Sequence, residues 1–162
     1  MLYTQNTLPE AIRQRSVAVL NRHLAAALDL HAQIKMAHWN VRGATFIAVH
    51  ELLDRTAEEV LAMTDTLAER AAALGGTAQG TLQTAVERSF LVPYPHQVAP
   101  AAEHLFAVAS ALAAFGQSVR DAIDTTADDN DANTSDLFTG LSRQVDQSLW
   151  LVEAHREPGL NG

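Results

Sequence analysis

Apolar residues recur at three- and four-residue steps through four long stretches of the chain, the repeat expected of helices that bury one face. In the first stretch, from about residue 10 to Trp39, Leu20, Leu24, Ala27, Leu28, His31, Ile34, Lys35 and His38 keep that spacing, and no Gly or Pro interrupts them. Pro9 stands where a first helical turn can begin. Asn40-Val41-Arg42-Gly43 then reads as a turn, since glycine allows the backbone to reverse. A second run goes from Ala44 to Leu74 and stops at Gly75-Gly76. Its acids Glu51, Asp54, Glu58 and Glu59 lie in the first half and Arg70 near the end, in keeping with the helix dipole. A third run, about 101–125, carries Leu105, Val108, Leu112, Phe115 and Val119, and a fourth, about 135–157, carries Leu137, Leu141, Val145, Leu149 and Val152 before Pro158-Gly159.

Between the second and third runs, Gly80, Pro93, Pro95 and Pro100 break the pattern, with room for a short helix from Gln83 to Phe90. Between the third and fourth, DAIDTTADDNDANTSD is acidic and polar, and reads as a loop or the frayed end of a helix. No alternating pattern predicts a strand. Four long helices with one longer middle connection predict an all-α bundle over residues 8–157, flanked by a flexible segment 1–7 and a short tail 158–162. Several helical faces carry Ala where Leu would fill a core, which points to close helix packing and to further burial between subunits.

Composition narrows the partners. The chain has 162 residues, enough for one core and too few for two ordinary domains. Nineteen acidic against eleven basic side chains give a formal net charge of −8, ill suited to wrapping DNA. Without cysteine there is no disulfide, thiolate zinc site or cysteine nucleophile. Nothing in the pattern predicts a membrane span. The N-terminus places Glu10, Arg13 and Arg15 where a signal peptide needs an apolar run, so the expected location is the cytoplasm.

The candidate chemistry lies around the first turn. His50 and Asp54, four residues apart, project from one face of the second helix, and Asp65 and Glu69 repeat the arrangement further along a face that also bears Ala57 and Leu61. Eleven residues of helix separate Asp54 from Asp65, a rise of roughly 16 Å, so the two pairs cannot share one ion within a subunit. Either there are two half-sites, or a second copy brings its own pair opposite the first. Antiparallel pairing about a two-fold axis does the latter and makes two equivalent sites per dimer. His38 can fold back beside His50 across the turn. Nitrogen and oxygen donors without sulfur suit Fe(II) or another first-row divalent ion, zinc included.

The run KMAHWNVRGATFIAVHELLD, followed by Asp65–Glu69 as D-x-x-x-E and then R-x-x-x-L-G-G, resembles the Dps family, the ferritin-like DNA-binding proteins from starved cells. The segment DLFTGLSRQVDQSLWLVEAH, Asp136 to His155, resembles that family's last helix. The resemblance implies a ferritin-like four-helix bundle with a short helix in the crossover, assembling as a homododecameric shell of tetrahedral symmetry. It places ferroxidase ligands on His38, His50 and Asp54 of one subunit and on Asp65 and Glu69 of its two-fold partner, a two-iron site. Trp39 falls on the tryptophan that quenches radicals or donates electrons, although packing at the interface explains it equally well. The implied activity is oxidation of Fe(II) by hydrogen peroxide, or O2, with ferric mineral stored inside the shell, a response that protects DNA and cell from oxidative stress.

The resemblance also implies acid-lined pores for iron. Asp131 and Asp136 are the stronger candidates, Asp146 a lesser one, and Asp128 and Asp129 read as a solvated loop. DNA binding, which the family name promises, is expected to be weak or absent. Lys35 is the only lysine, the termini are not basic, and twelve copies would carry about −96 by formal count. The alternative is a nucleoid-associated, non-specific DNA-binding protein whose metal site is secondary. A manganese catalase fits less well, because the chain has no Glu-x-x-His.

Overall fold

Pro9 opens the first helix, α1 (Glu10–Asn40), its carbonyl accepting from the amides of Ile12 and Arg13 at 3.0 and 3.1 Å. The computed structural model describes residues 1–95 and 100–155, and the remaining helices are α2 (Phe46–Ala73), α3 (Leu82–Arg88), α4 (Ala101–Asp128) and α5 (Ala132–Glu153). No strand occurs among the described residues. The tail expected at 158–162 lies outside them.

The acidic stretch is not a long loop. Helix α4 continues to Asp128 and α5 begins at Ala132, so only three residues join them. The amides of Asn130 and Asp131 donate to the carbonyls of Ala127 and Thr126, both at 2.9 Å, closing α4 with paired bonds around Asn130 at φ 61. Asn tolerates this left-handed conformation better than most side chains do. Asp131 also starts the next helix, its carboxylate accepting from the Thr134 amide at 3.1 Å. One residue thus ends α4 with its backbone and begins α5 with its side chain.

Helices α1 and α2 form one hairpin and α4 and α5 the other, with α1 packed on α4 and α2 on α5. Between α2 and α4, the described residues 74–95 include α3, which lies against α1. Contacts fix the ends: Arg15 near the start of α1 meets Asp129 at 2.7 Å, and Arg70 near the end of α2 meets Asp131 at 2.8 Å. The α1–α2 turn therefore lies at the opposite end from the α4–α5 turn.

Leu30, Ile34, Leu53, Met63, Leu67, Phe115 and Phe138 make the centre of the core, each under 2 % exposed. Helix α1 buries more than the single face its periodicity predicts. Ala25, Ala26 and Ala27 are consecutive and all inaccessible, because α2, α3 and α4 surround them. Small side chains let these helices approach closely. His23 is buried among Phe90, Phe115 and Phe138. Burial lowers its pKa, and the neutral ring is satisfied by donating from Nδ1 to the Val19 carbonyl at 2.8 Å and accepting from the Ser118 hydroxyl at 3.0 Å.

Within residues 1–7 the chain reaches the end of α2 at Leu2. The Leu2 amide donates to the Gly75 carbonyl at 2.7 Å, and the Asn6 side chain accepts from the Leu8 amide at 3.0 Å. Gly75 closes α2 at φ +81, and a Cβ there would meet the Leu2 carbonyl oxygen at 2.7 Å. Gly75→Ala should cost about 1–2 kcal/mol from the left-handed backbone alone, and should expose residues 1–7 to protease. A thermal midpoint and cleavage rate equal to the parent's would refute this anchoring.

Candidate metal centre

The turn between α1 and α2 holds two histidines face to face. Val41, 1 % exposed, anchors it in the core, and Gly43 at φ +119 provides the reversal. His38 lies in the last turn of α1 and His50 early in α2, with ring centroids 3.7 Å apart and planes 22° from parallel. His38 Nδ1–H donates to the His50 carbonyl and His50 Nδ1–H donates to the His38 carbonyl, each at 2.9 Å. A carbonyl can only accept, so each ring carries a proton on Nδ1 and leaves Nε2 uncommitted to the main chain, the nitrogen through which an unprotonated ring would offer its lone pair. This is the outer bonding that fixes the tautomer of a metal-binding histidine. The bond from His50 also satisfies a carbonyl that the end of α1 leaves without a helical partner.

Asp54 lies one turn beyond His50, with Oδ1 3.7 Å from His38 Nε2. The Lys35 ammonium donates to the same oxygen at 2.6 Å, which holds the Asp54 carboxyl below the usual carboxylate range. The histidines add to that lowering, while burial opposes it. Phe46 covers His50 at 4.9 Å between ring centroids. Trp39 is 66 % exposed and touches the site through Lys35, whose Nζ lies 5.8 Å from the indole centroid.

Asp65 and Glu69 stand exposed farther along α2, away from this group. Among the described residues of a single chain, no three His, Asp or Glu side chains come together as a metal cage. Leu61, between the two acidic pairs, is 48 % exposed, whereas Ala57 is 1 % exposed. Ala57 therefore belongs to the core side of α2 and not to the acidic face; its carbonyl accepts from His31 Nδ1 at 3.0 Å.

The acids at the other end divide. Asp131 does not present a free carboxylate to a pore: it is 1 % exposed and accepts from Ser16, Arg70 and Thr134. Its hydrogen bonds and Arg70 outweigh burial and hold its pKa below the ordinary 3.8, although burial is the largest single influence. Asp129 pairs with Arg15. Asp146 pairs with Arg120 at 3.0 Å on the surface. Asp128 is exposed, and Asp136, also exposed, borders a surface hollow with Asn130, Ser135 and Thr139. Helical spacing alone does not reveal the engagement of Lys35 with Asp54; the signals in the sequence are its place three residues before His38 and its being the only lysine.

Four long helices with a short helix in the crossover define a ferritin-like protein, and the ferritin-like domain family matches residues 17–158. More narrowly, the chain belongs to the Dps family. It is 41 % identical to the DNA protection during starvation protein of Agrobacterium fabrum over 94 % of each chain. Among solved structures, DpsA14 from Streptomyces coelicolor superposes with a TM-score of 0.90 at 38 % identity, covering 97 % of this chain and 93 % of that one. Mycobacterium smegmatis Dps reaches 0.92 at 28 % identity, covering 98 % and 96 %. No helix among the described residues is long and apolar enough to cross a membrane.

Proposed function

We propose that this protein is a ferroxidase that detoxifies and stores iron, working at sites shared between two copies of the chain. His38, His50 and Asp54 of one copy and Asp65 and Glu69 of its two-fold partner would hold two Fe(II) ions as substrate. The supporting observation is the His38–His50 pair, whose reciprocal main-chain bonds leave both Nε2 atoms free beside the Asp54 carboxylate. A two-fold arrangement supplies the missing carboxylates, and the exposed Leu61 and Ile47 on α2 give such a partner apolar surface to cover.

The reaction balances with two metal ions. Each Fe(II) gives one electron to hydrogen peroxide, the O–O bond breaks, and two protons complete two waters, so no hydroxyl radical is released. The imidazoles donate lone pairs to the ions, and the carboxylates compensate the charge that rises on oxidation to Fe(III). O2 is the slower oxidant in this scheme. Trp39, beside the site and open to solvent, would supply an electron when only one ion is bound. Ferric product would collect as hydrous oxide within a tetrahedral twelve-subunit shell in the cytoplasm, with Asp136 and Asp146 near the route of Fe(II) into it.

The Agrobacterium fabrum relative is named for protection of DNA during starvation. For this chain, removal of Fe(II) and peroxide supports that outcome better than coating DNA, given −8 per chain and one lysine. Stopped-flow absorbance after adding peroxide to anaerobically Fe(II)-loaded protein tests the reading. The expected result is a fast ferric phase that saturates near two Fe(II) per intersubunit site and consumes one peroxide per two Fe(II). Oxidation no faster than in protein-free buffer would remove the proposal.

A further inference from the structure

The Lys35 ammonium and a metal ion would compete for one oxygen. Asp54 Oδ1 accepts from Lys35 Nζ at 2.6 Å and lies 3.7 Å from His38 Nε2, the ring nitrogen not engaged by the main chain. A divalent ion bound by His38, His50 and Asp54 must come close to that oxygen, where a positive charge already sits. Lys35 also precedes Trp39 by four residues, one helical turn along the same face. Its Nζ is already 5.8 Å from the indole centroid, so side-chain rotation alone can bring it closer to the ring.

We propose that Lys35 is the resident counter-cation of the half-site, and that a divalent ion enters by displacing its ammonium from Asp54 toward the face of Trp39. The inference rests on the ligand assignment above. In the metal-free protein, Lys35 satisfies Asp54 and holds the carboxylate in place beside the histidines. Cations that bind carboxylate alone gain too little to evict the ammonium, whereas ions that also bond strongly to two imidazoles gain enough. Lys35 is thereby a positioning and selectivity residue, and the displaced charge finds a cation–π partner.

Zn(II), which is redox-inert, separates binding from oxidation. In full-length assembled protein carrying Trp150→Phe, Trp39 is the only indole. Calorimetric titration should give roughly tenfold tighter Zn(II) binding in Lys35→Met and Lys35→Gln, about 1.4 kcal/mol. Lys35→Arg, which keeps the charge, should bind like the parent, and the gap should narrow at high ionic strength. Zn(II) should shift Trp39 emission in the parent and not in Lys35→Met. Adding His50→Ala should abolish the binding in every background. If it does not, the ligand assignment fails; if binding depends on His50 but Lys35→Met binds no tighter than the parent, the displacement proposal is overturned.

Discussion

His50→Ala should lower the initial rate of peroxide-driven Fe(II) oxidation on the order of 100-fold, and His38→Ala should do the same. Each substitution removes one Nε2 donor and one of the two stacked rings, while the main-chain carbonyl that holds the other ring's Nδ1 stays in place. Glu69→Ala should produce a comparable loss from an exposed side chain that touches neither histidine in its own chain. Such a loss is explained only if the glutamate acts on another copy. Mixing makes the point quantitative. In a pair formed by one His50→Ala copy and one Glu69→Ala copy, one site has both defects and the other has neither. Random reassembly of equal amounts should therefore restore about a quarter of the sites. Recovery of activity from two dead variants would establish the shared site, while an inactive mixture of fully assembled protein would place all the ligands in one chain.

Asp131→Ala should be the most damaging single change to stability, at about 3 kcal/mol. It leaves Arg70 without its carboxylate, removes the start of α5, and strips an acceptor from the buried Ser16 hydroxyl. For a chain of this size that corresponds to a fall of roughly 6–12 °C in thermal midpoint. Calorimetry of the variant checks it, and a midpoint within a degree of the parent's would show that the network contributes little. The same carboxylate predicts an acid limb. Its folded pKa lies below the ordinary 3.8, so the unfolded chain takes up the proton first as pH falls. Its stabilising contribution is complete above that range and is lost as pH drops through the folded value. Asp131→Asn should flatten this part of the pH profile while leaving the Zn(II) site at the other end of the bundle intact.

The helices were legible because their apolar spacing and their Gly and Pro punctuation agree: the ends of α1, α2 and α3 fall within two residues of where the pattern puts them. The acidic stretch misled because composition cannot separate a loop from two helix ends. Three residues suffice there only because Asn130 accepts a positive φ and Asp131 bonds in both directions. The same uncertainty made Asp131 look like a solvent-facing acid, when its position after Asn130 buries it against Arg70. The proximity of His38 to His50 was readable from the short turn. Their mutual bonding was not, because it depends on how the two carbonyls face at the helix ends. Ala57 was misplaced for a simpler reason: a small side chain suits either side of a helix, and only the packing of α1 against α2 decides which.

The bond from His50 to the His38 carbonyl ties the chemistry to the last turn of α1. When that turn frays, the lone pairs lose their alignment although the core beneath is untouched, and local openings of this kind need far less energy than global unfolding. Amide hydrogen exchange should register the link: protons near residues 38–42 and 46–50 should slow when the site is filled, while those around Phe115 and Phe138 stay at the rate of the whole bundle. On warming, the centre would disarm while the bundle is still folded.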